Sequence, residues 1–307
     1  MRILLVSLLI LLAAFAAACG SDNGSRDGVT VVATTTEVAD LVRQVGGSRV
    51  NVEGMLRPGG DPHDYEPRPS DVAAVADATV VFRSGGEVDQ WLNDVIDNAG
   101  GDAEVVSLID SVKRLDDDPH WWQDATNGVR AVEAIRAELT KADPAGRATF
   151  ARNAERTIGT LERLDRQITA CVDRVSPAKR KIVTTHDALG YFAQRYGVEV
   201  VGAVIPSLST QAQASAGDVQ ELVEQIRREG VEAIFPESSV NPDIERAIAR
   251  EAGANIGDSL YADSLGPNGS PGETYTGALA ADAGALVRGM SGGRVSCDAA
   301  LRAAAGS

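Results

Sequence analysis

Residues 143–175 read DPAGRATFARNAERTIGTLERLDRQITACVDRV, and the spacing of apolar residues in this stretch decides the architecture. Ile158, Leu161, Leu164, Ile168, Val172 and Val175 recur at steps of three or four, which places them on one face of a long helix. Asp143 before Pro144 supplies a start, with Asp as N-cap and proline at the first helical position, where a missing N–H leaves nothing unpaired. A helix of about 30 residues would rise about 45 Å. That length can lie along two lobes at once, and a single stiff connection predicts only limited closure between them.

On the amino-terminal side of this helix, short β-branched runs alternate with helical patterns. Strands are predicted over 29–36, 50–56, 79–82 and 104–108, helices over 38–45, 71–78 and 91–98, and a further helix over 129–141. The rhythm resumes on the other side with strands over 181–185, 198–205 and 231–236 and helices over 188–196, 216–229 and 243–252. A closing helix covers about 274–290. Strands alternating with helices of this length are βαβ units, so the class is α/β, with two Rossmann-like lobes and two cores. The predicted organisation is a first lobe over 29–142, the linking helix over 143–175 and a second lobe over 176–307.

Ahead of the first lobe, Met1-Arg2 precedes an apolar run from Ile3 to Ala18, then Cys19-Gly20 and a polar stretch. The run is shorter than the roughly 20 apolar residues a membrane span requires, and Ala16-Ala17-Ala18 before a cysteine suits cleavage. Residues 1–18 therefore read as a signal peptide. The arrangement resembles a bacterial lipobox, although Ala16 stands where that motif usually has Leu. It implies acyl chains on Cys19, a flexible tether over 19–28 and an extracytoplasmic protein held to the cell membrane. A net charge of −15 speaks against a nucleic-acid partner, which would need a basic face. Two cysteines remain, Cys171 and Cys297. An oxidising compartment would allow them to pair, and their spacing alone leaves that open.

Three histidines carry the chemistry: His63, His120 and His186. His63 lies in a Gly/Pro-rich loop after a strand, His120 in Asp118-Pro119-His120-Trp121-Trp122, and His186 at the end of its strand. Open α/β sheets hold ligands at such strand ends. One histidine alone is more simply a satisfied side chain, but three in this position are explained together by one metal site. Asp61 and Asp118, each two residues before a histidine, are available as acceptors for the second ring nitrogen. Glu237 after the 231–236 strand is a further outer acid. The gaps between the histidines match no local zinc-hydrolase motif, which argues against an enzyme.

Gly60-Asp61-Pro62-His63-Asp64-Tyr65-Glu66-Pro67-Arg68-Pro69-Ser70-Asp71, Asp118-Pro119-His120-Trp121-Trp122 and Thr185-His186-Asp187-Ala188-Leu189-Gly190-Tyr191-Phe192 resemble the three histidine motifs of the metal-binding lipoproteins of ABC importers. Ala262-Asp263-Ser264-Leu265-Gly266 with Gly272-Glu273-Thr274-Tyr275 resembles their fourth. The resemblance implies two lobes on one backbone helix and a metal in the interlobe cleft, held by His63, His120, His186 and Asp263. It implies a monomer that hands zinc, with manganese as the alternative, to an importer permease and its ATPase. His at the third position is the zinc-type choice, where manganese-type members often have Glu. Two departures stand out. Only Asp116-Asp117-Asp118 occupies the place of the His-rich loop of many zinc-type members, and the second motif continues as Trp122-Gln123-Asp124 where Leu-Asp-Pro is usual. A surface adhesin and a metallohydrolase are the remaining readings; four protein ligands would leave no open position for a catalytic water.

Overall fold

The computed structural model describes residues 28–306; the predicted signal peptide, Cys19 and nearly all of the tether lie outside them. Two four-stranded sheets are present, each fully parallel. The first runs β2-β1-β3-β4 (β1 Val29–Ala33, β2 Val50–Gly54, β3 Val80–Arg83, β4 Glu104–Ser107) and the second β6-β5-β7-β8 (β5 Lys181–His186, β6 Glu199–Ile205, β7 Ala233–Phe235, β8 Asn255–Ile256). The strand order is the same in both. In each sheet the chain goes first to one side of the founding strand and then to the other, so the strand order reverses beside β1 and beside β5.

The helices between strands of the first sheet are α1 (Thr36–Gly46), α2 (Pro69–Ala76) and α3 (Leu92–Ala99). Next come α4 (Ala125–Ala142) and the long α5 (Arg147–Val172), then α6 (Gly190–Tyr196), α7 (Ala216–Glu229) and α8 (Asp243–Ala252) around the second sheet, and finally α9 (Tyr275–Met290) and α10 (Asp298–Ala305). The two-residue β8 and α10 fall outside the predicted pattern, so the 274–290 helix is not the last. The α10 sequence Asp-Ala-Ala-Leu-Arg-Ala-Ala-Ala is a strong helix former with only Leu301 as a large apolar residue, and so it lacks the periodic signal.

The long helix starts later than Asp143. The Asp143 carboxylate accepts the Gly146 N–H at 3.1 Å and caps a short 3₁₀ turn, Pro144–Gly146, from which α5 continues for 26 residues. Arg49 fixes the same carboxylate from the first lobe at 2.6 Å. Phe150, Ala154, Thr157, Leu161, Leu164, Ile168 and Cys171 form the buried face of α5, and Ile158 is only partly covered. At its carboxyl end Cys171 pairs with Cys297, Cα to Cα 6.1 Å, a separation that suits a disulfide.

The core differs from the expected two. Val31, Ala33, Val80 and Phe82 of the first sheet belong to the same buried cluster as Ile182, Ala233 and Phe235 of the second, and Leu161, Leu164 and Ile168 of α5 join them. The alternate strand residues point outward into separate clusters, Val32 and Val81 in one, Val183 and Ile234 in the other. The physical reason is the period of two along a strand. Every central strand feeds two faces, and the inner faces of both sheets share one helical layer, so their cores fuse while the outer faces stay apart.

Candidate metal centre

All four residues singled out for metal lie at carboxyl ends of strands or in the loops beyond them. The loop after β2 carries His63, the loop after β4 carries His120, β5 ends on His186, and the loop after β8 carries Asp263. One ligand atom from each lies within 4.8 Å of all the others. Asp263 Oδ2 stands 3.1 Å from His186 Nε2 and 3.3 Å from His63 Nε2, and Asp263 Oδ1 is 3.6 Å from His120 Nε2. The group is closed from water, with the His120, His186 and Asp263 side chains fully buried and that of His63 3% exposed.

The nitrogens that face inward are set from behind. His120 Nδ1 donates to Asp118 Oδ1 at 2.7 Å, and the same oxygen accepts the His120 backbone N–H at 2.9 Å. His186 Nδ1 donates to Glu237 Oε1 at 2.7 Å, and the His186 N–H reaches that oxygen at 3.1 Å. With the proton on Nδ1, each Nε2 presents a lone pair, and these two nitrogens lie 3.3 Å apart. Two lone pairs at that distance repel unless a cation or a shared proton sits between them. His63 Nε2 and both Asp263 oxygens are buried with no hydrogen-bond donor of their own. Such atoms are costly to desolvate unpaired, so the site is electrostatically incomplete in a way that a cation corrects.

Protons compete for the same place. Burial alone would lower the His186 pKa, but the charges of Asp263 and Glu237 outweigh it and hold the value well above the ordinary 6.5. For Asp263, burial pushes upward, yet the neighbouring His186 and His120 keep it well below 3.8. The pair is an ionised acid beside a readily protonated base.

Asp61 does not stand behind the His63 ring. Its Oδ1 accepts the His63 backbone N–H at 2.9 Å and its Oδ2 accepts the Thr210 hydroxyl at 2.7 Å from the loop after β6. Asp64 and Glu66 are exposed. The tryptophans are packing residues with their N–H groups spent on protein: Trp91 on the Pro62 carbonyl, Trp121 on Ser84 and Trp122 on the Ala262 carbonyl. Sequence reasoning missed Thr36, Gln123 and Ser264, which grip the Asp263 loop. The only signal for Gln123 was that the second motif departs from its usual wording there.

The model of the family described as zinc-uptake complex component A, periplasmic, matches residues 31–289. The chain is 30% identical to the manganese-binding lipoprotein MntA of Halalkalibacterium halodurans over 92% of this chain and 97% of that one. It is 29% identical to the metal ABC transporter substrate-binding lipoprotein SloC of Streptococcus mutans over 90% and 94%. Among solved structures, the periplasmic zinc binding protein TroA from Treponema pallidum superposes with a TM-score of 0.81 at 28% identity, covering 86% of this chain and 99% of that one. Matched fold, strand-end site and near-complete coverage agree: this chain belongs to the zinc-uptake component A family, the metal-binding solute-binding proteins of ABC transporters, and is not an enzyme.

Proposed function

We propose that this protein captures Zn(II) outside the cytoplasm in a shell of His63, His120, His186 and Asp263 and delivers it to an ABC importer. The observation that carries the reading is the convergence of four ligand atoms within 4.8 Å, with His63 Nε2 and both Asp263 oxygens lacking any other partner. Three imidazoles and one carboxylate at close quarters suit a tetrahedral borderline ion, whereas manganese favours more oxygen ligands. Manganese is the second reading, favoured by the manganese-binding name of a relative that spans nearly the whole chain. The permease with its ATPase is the partner, and acylated Cys19 the anchor that keeps the protein near it.

The test is thermal unfolding of the chelated chain with stepwise return of each ion. One equivalent of zinc should stabilise strongly, since an ion at 100 times its Kd adds about 2.7 kcal/mol. Greater stabilisation by manganese at equal free concentration would transfer the assignment to manganese, and no response to either ion would remove it. Separately, Cys19→Ala should move the protein from the membrane fraction into the medium.

A further inference from the structure

Position in the chain puts Asp263 in the second lobe, after β8, and suggests that it moves with His186. The hydrogen bonds say otherwise. The Ala262 carbonyl accepts from both Trp122 Nε1 and Gln123 Nε2 at 2.7 Å. The Leu265 N–H donates to Thr36 Oγ1 at 2.8 Å, and the Gly59 N–H reaches the Leu265 carbonyl at 3.0 Å and Ser264 Oγ at 2.9 Å. Further on, the Tyr275 N–H donates to Asp40 Oδ2 at 2.8 Å and its hydroxyl to the Trp122 carbonyl at 2.6 Å. All of these partners belong to α1, the loop after β2 or the 3₁₀ turn after His120. The attachment to the second sheet ends just before, where Leu260 exchanges backbone hydrogen bonds with Pro236 and Ser238, and the Tyr261 N–H binds Asp282.

His186 is bound differently. Its backbone N–H and Nδ1 go to Glu237, and its strand pairs within the second sheet. The rest of the second lobe reaches the first lobe's loops at two places: through α6, where Tyr191 Oη accepts the Leu115 N–H at 2.9 Å, Arg195 lies 3.8 Å from Asp124 and the helix packs on the 3₁₀ turn after His120, and through the loop after β6, with Thr210 Oγ1 to Asp61 at 2.7 Å and Gln211 to Asp64 at 3.4 Å.

We infer that the metal shell divides three to one: Asp263 is fixed to the first lobe beside His63 and His120, and His186 is the ligand that withdraws when the lobes part. Trp122, Gln123 and Thr36 are then positioning residues for Asp263, and the changeover falls between Tyr261 and Ala262. This rests on the metal-capture reading above. A partner that draws the β5 side away by a small distance opens one corner of the shell and leaves the ion on two imidazoles and a carboxylate, without breaking the Ala262–Leu265 bonds.

Amide hydrogen exchange on the full chain, zinc-loaded and chelated, with metal content measured on the same samples, tests this. On chelation the Leu115 amide, which reports the link to Tyr191, should exchange at least about tenfold faster, while Gly59, Leu265 and Tyr275 stay within about threefold. Equal loss at Gly59 and Leu265, or bound zinc with no change at Leu115, would overturn the three-to-one division and leave metal capture standing. Failure to bind any ion would strike the capture reading instead, and the relative protection of Leu265 and Leu115 in the chelated chain would still decide which lobe holds the Asp263 loop. Gln123→Met, which removes one donor to Ala262, should speed zinc release by about 10- to 100-fold and shift the visible spectrum of the cobalt-substituted protein. An unchanged spectrum and release rate would deny Gln123 the positioning role.

Discussion

His120 and His186 are both backed by a carboxylate at 2.7 Å, yet the two supports are built in opposite ways. Asp118 sits two residues upstream of His120, in the same loop, and one oxygen serves both its backbone N–H and its ring. Glu237 comes to His186 from 51 residues away, across the neighbouring strand, where the Thr185 hydroxyl accepts the Glu237 backbone N–H at 3.2 Å. A local support travels with its histidine whatever the lobes do. A long-range support keeps its geometry only while the second sheet is intact, and it ties His186 to that sheet. His63 has neither, since Asp61 holds its backbone and leaves the ring free of a carboxylate behind it.

The largest effect should come from the one anion that all three imidazoles face. Asp263→Ala should weaken zinc binding about 1,000-fold, on the order of 4 kcal/mol, because it strands buried partners without their counter-charge; competition with a chromophoric chelator measures it. A loss under tenfold would mean that the carboxylate is not bound to the ion. Next in size, Glu237→Gln should cost about 100-fold and Asp118→Asn about tenfold, within the range for groups behind metal ligands. The order sharpens the contrast between supports, and the reverse order would break it. Asp61→Ala should change affinity only a few-fold, the scale of one neutral or partly exposed hydrogen bond, and a loss comparable with Asp118→Asn would restore Asp61 to the back of the ring.

The pH response should have opposite signs in the two forms. Without metal, the His186 pKa is raised and that of Asp263 lowered. The raised base contributes stability fully below 6.5 and loses it as pH rises through its folded value. The lowered acid contributes above 3.8 and loses it as pH falls through its own. The chelated protein is therefore helped by this pair between those ordinary values and weakens on the alkaline side. With zinc, protons must leave His186 first, so apparent affinity should fall up to tenfold per pH unit as pH drops below the raised His186 value. Unfolding midpoints of both forms from pH 5 to 9 would show the curves converging towards acid; parallel curves would mean that no proton is exchanged.

The sequence disclosed what is local and periodic. The outer helices 216–229 and 243–252 match α7 and α8 residue for residue because their apolar faces and caps lie within one segment: Ser215 accepts the Asp218 N–H, and Gly230 and Gly253 close the ends in left-handed conformations. The histidines were legible because each sits in a short turn-rich motif, and Asp118 was legible from the Asp-Pro-His wording. The same wording misleads at Asp61, where Thr210, 149 residues away, takes the second carboxylate oxygen. Asp263 was accessible only through resemblance. The grip of Gln123 and Trp122 on Ala262 spans some 140 residues and leaves no periodic trace. Nor does alternation along a strand reveal whether two inner faces meet the same helices, which is why two cores were expected where one runs through.

That shared core also sets a timetable for assembly. Leu279, Ala283 and Leu286 of α9 and Leu301 of α10 are buried in it, and α9 packs on β5 and β7 while α10 packs on α5 and α9, so the inner face of the second sheet and part of α5 lack their cover until residues near 300 are free to dock. A chain leaving a ribosome or threading an export channel cannot complete this shared core before that last segment arrives, as independent domains can. It should stay loosely structured and pliable until nearly all of it is available. The Cys171–Cys297 link, closing a separation of 126 residues, removes about 5 kcal/mol of freedom from the unfolded chain, which makes the segment leading into the last helix a fastener for this shared core.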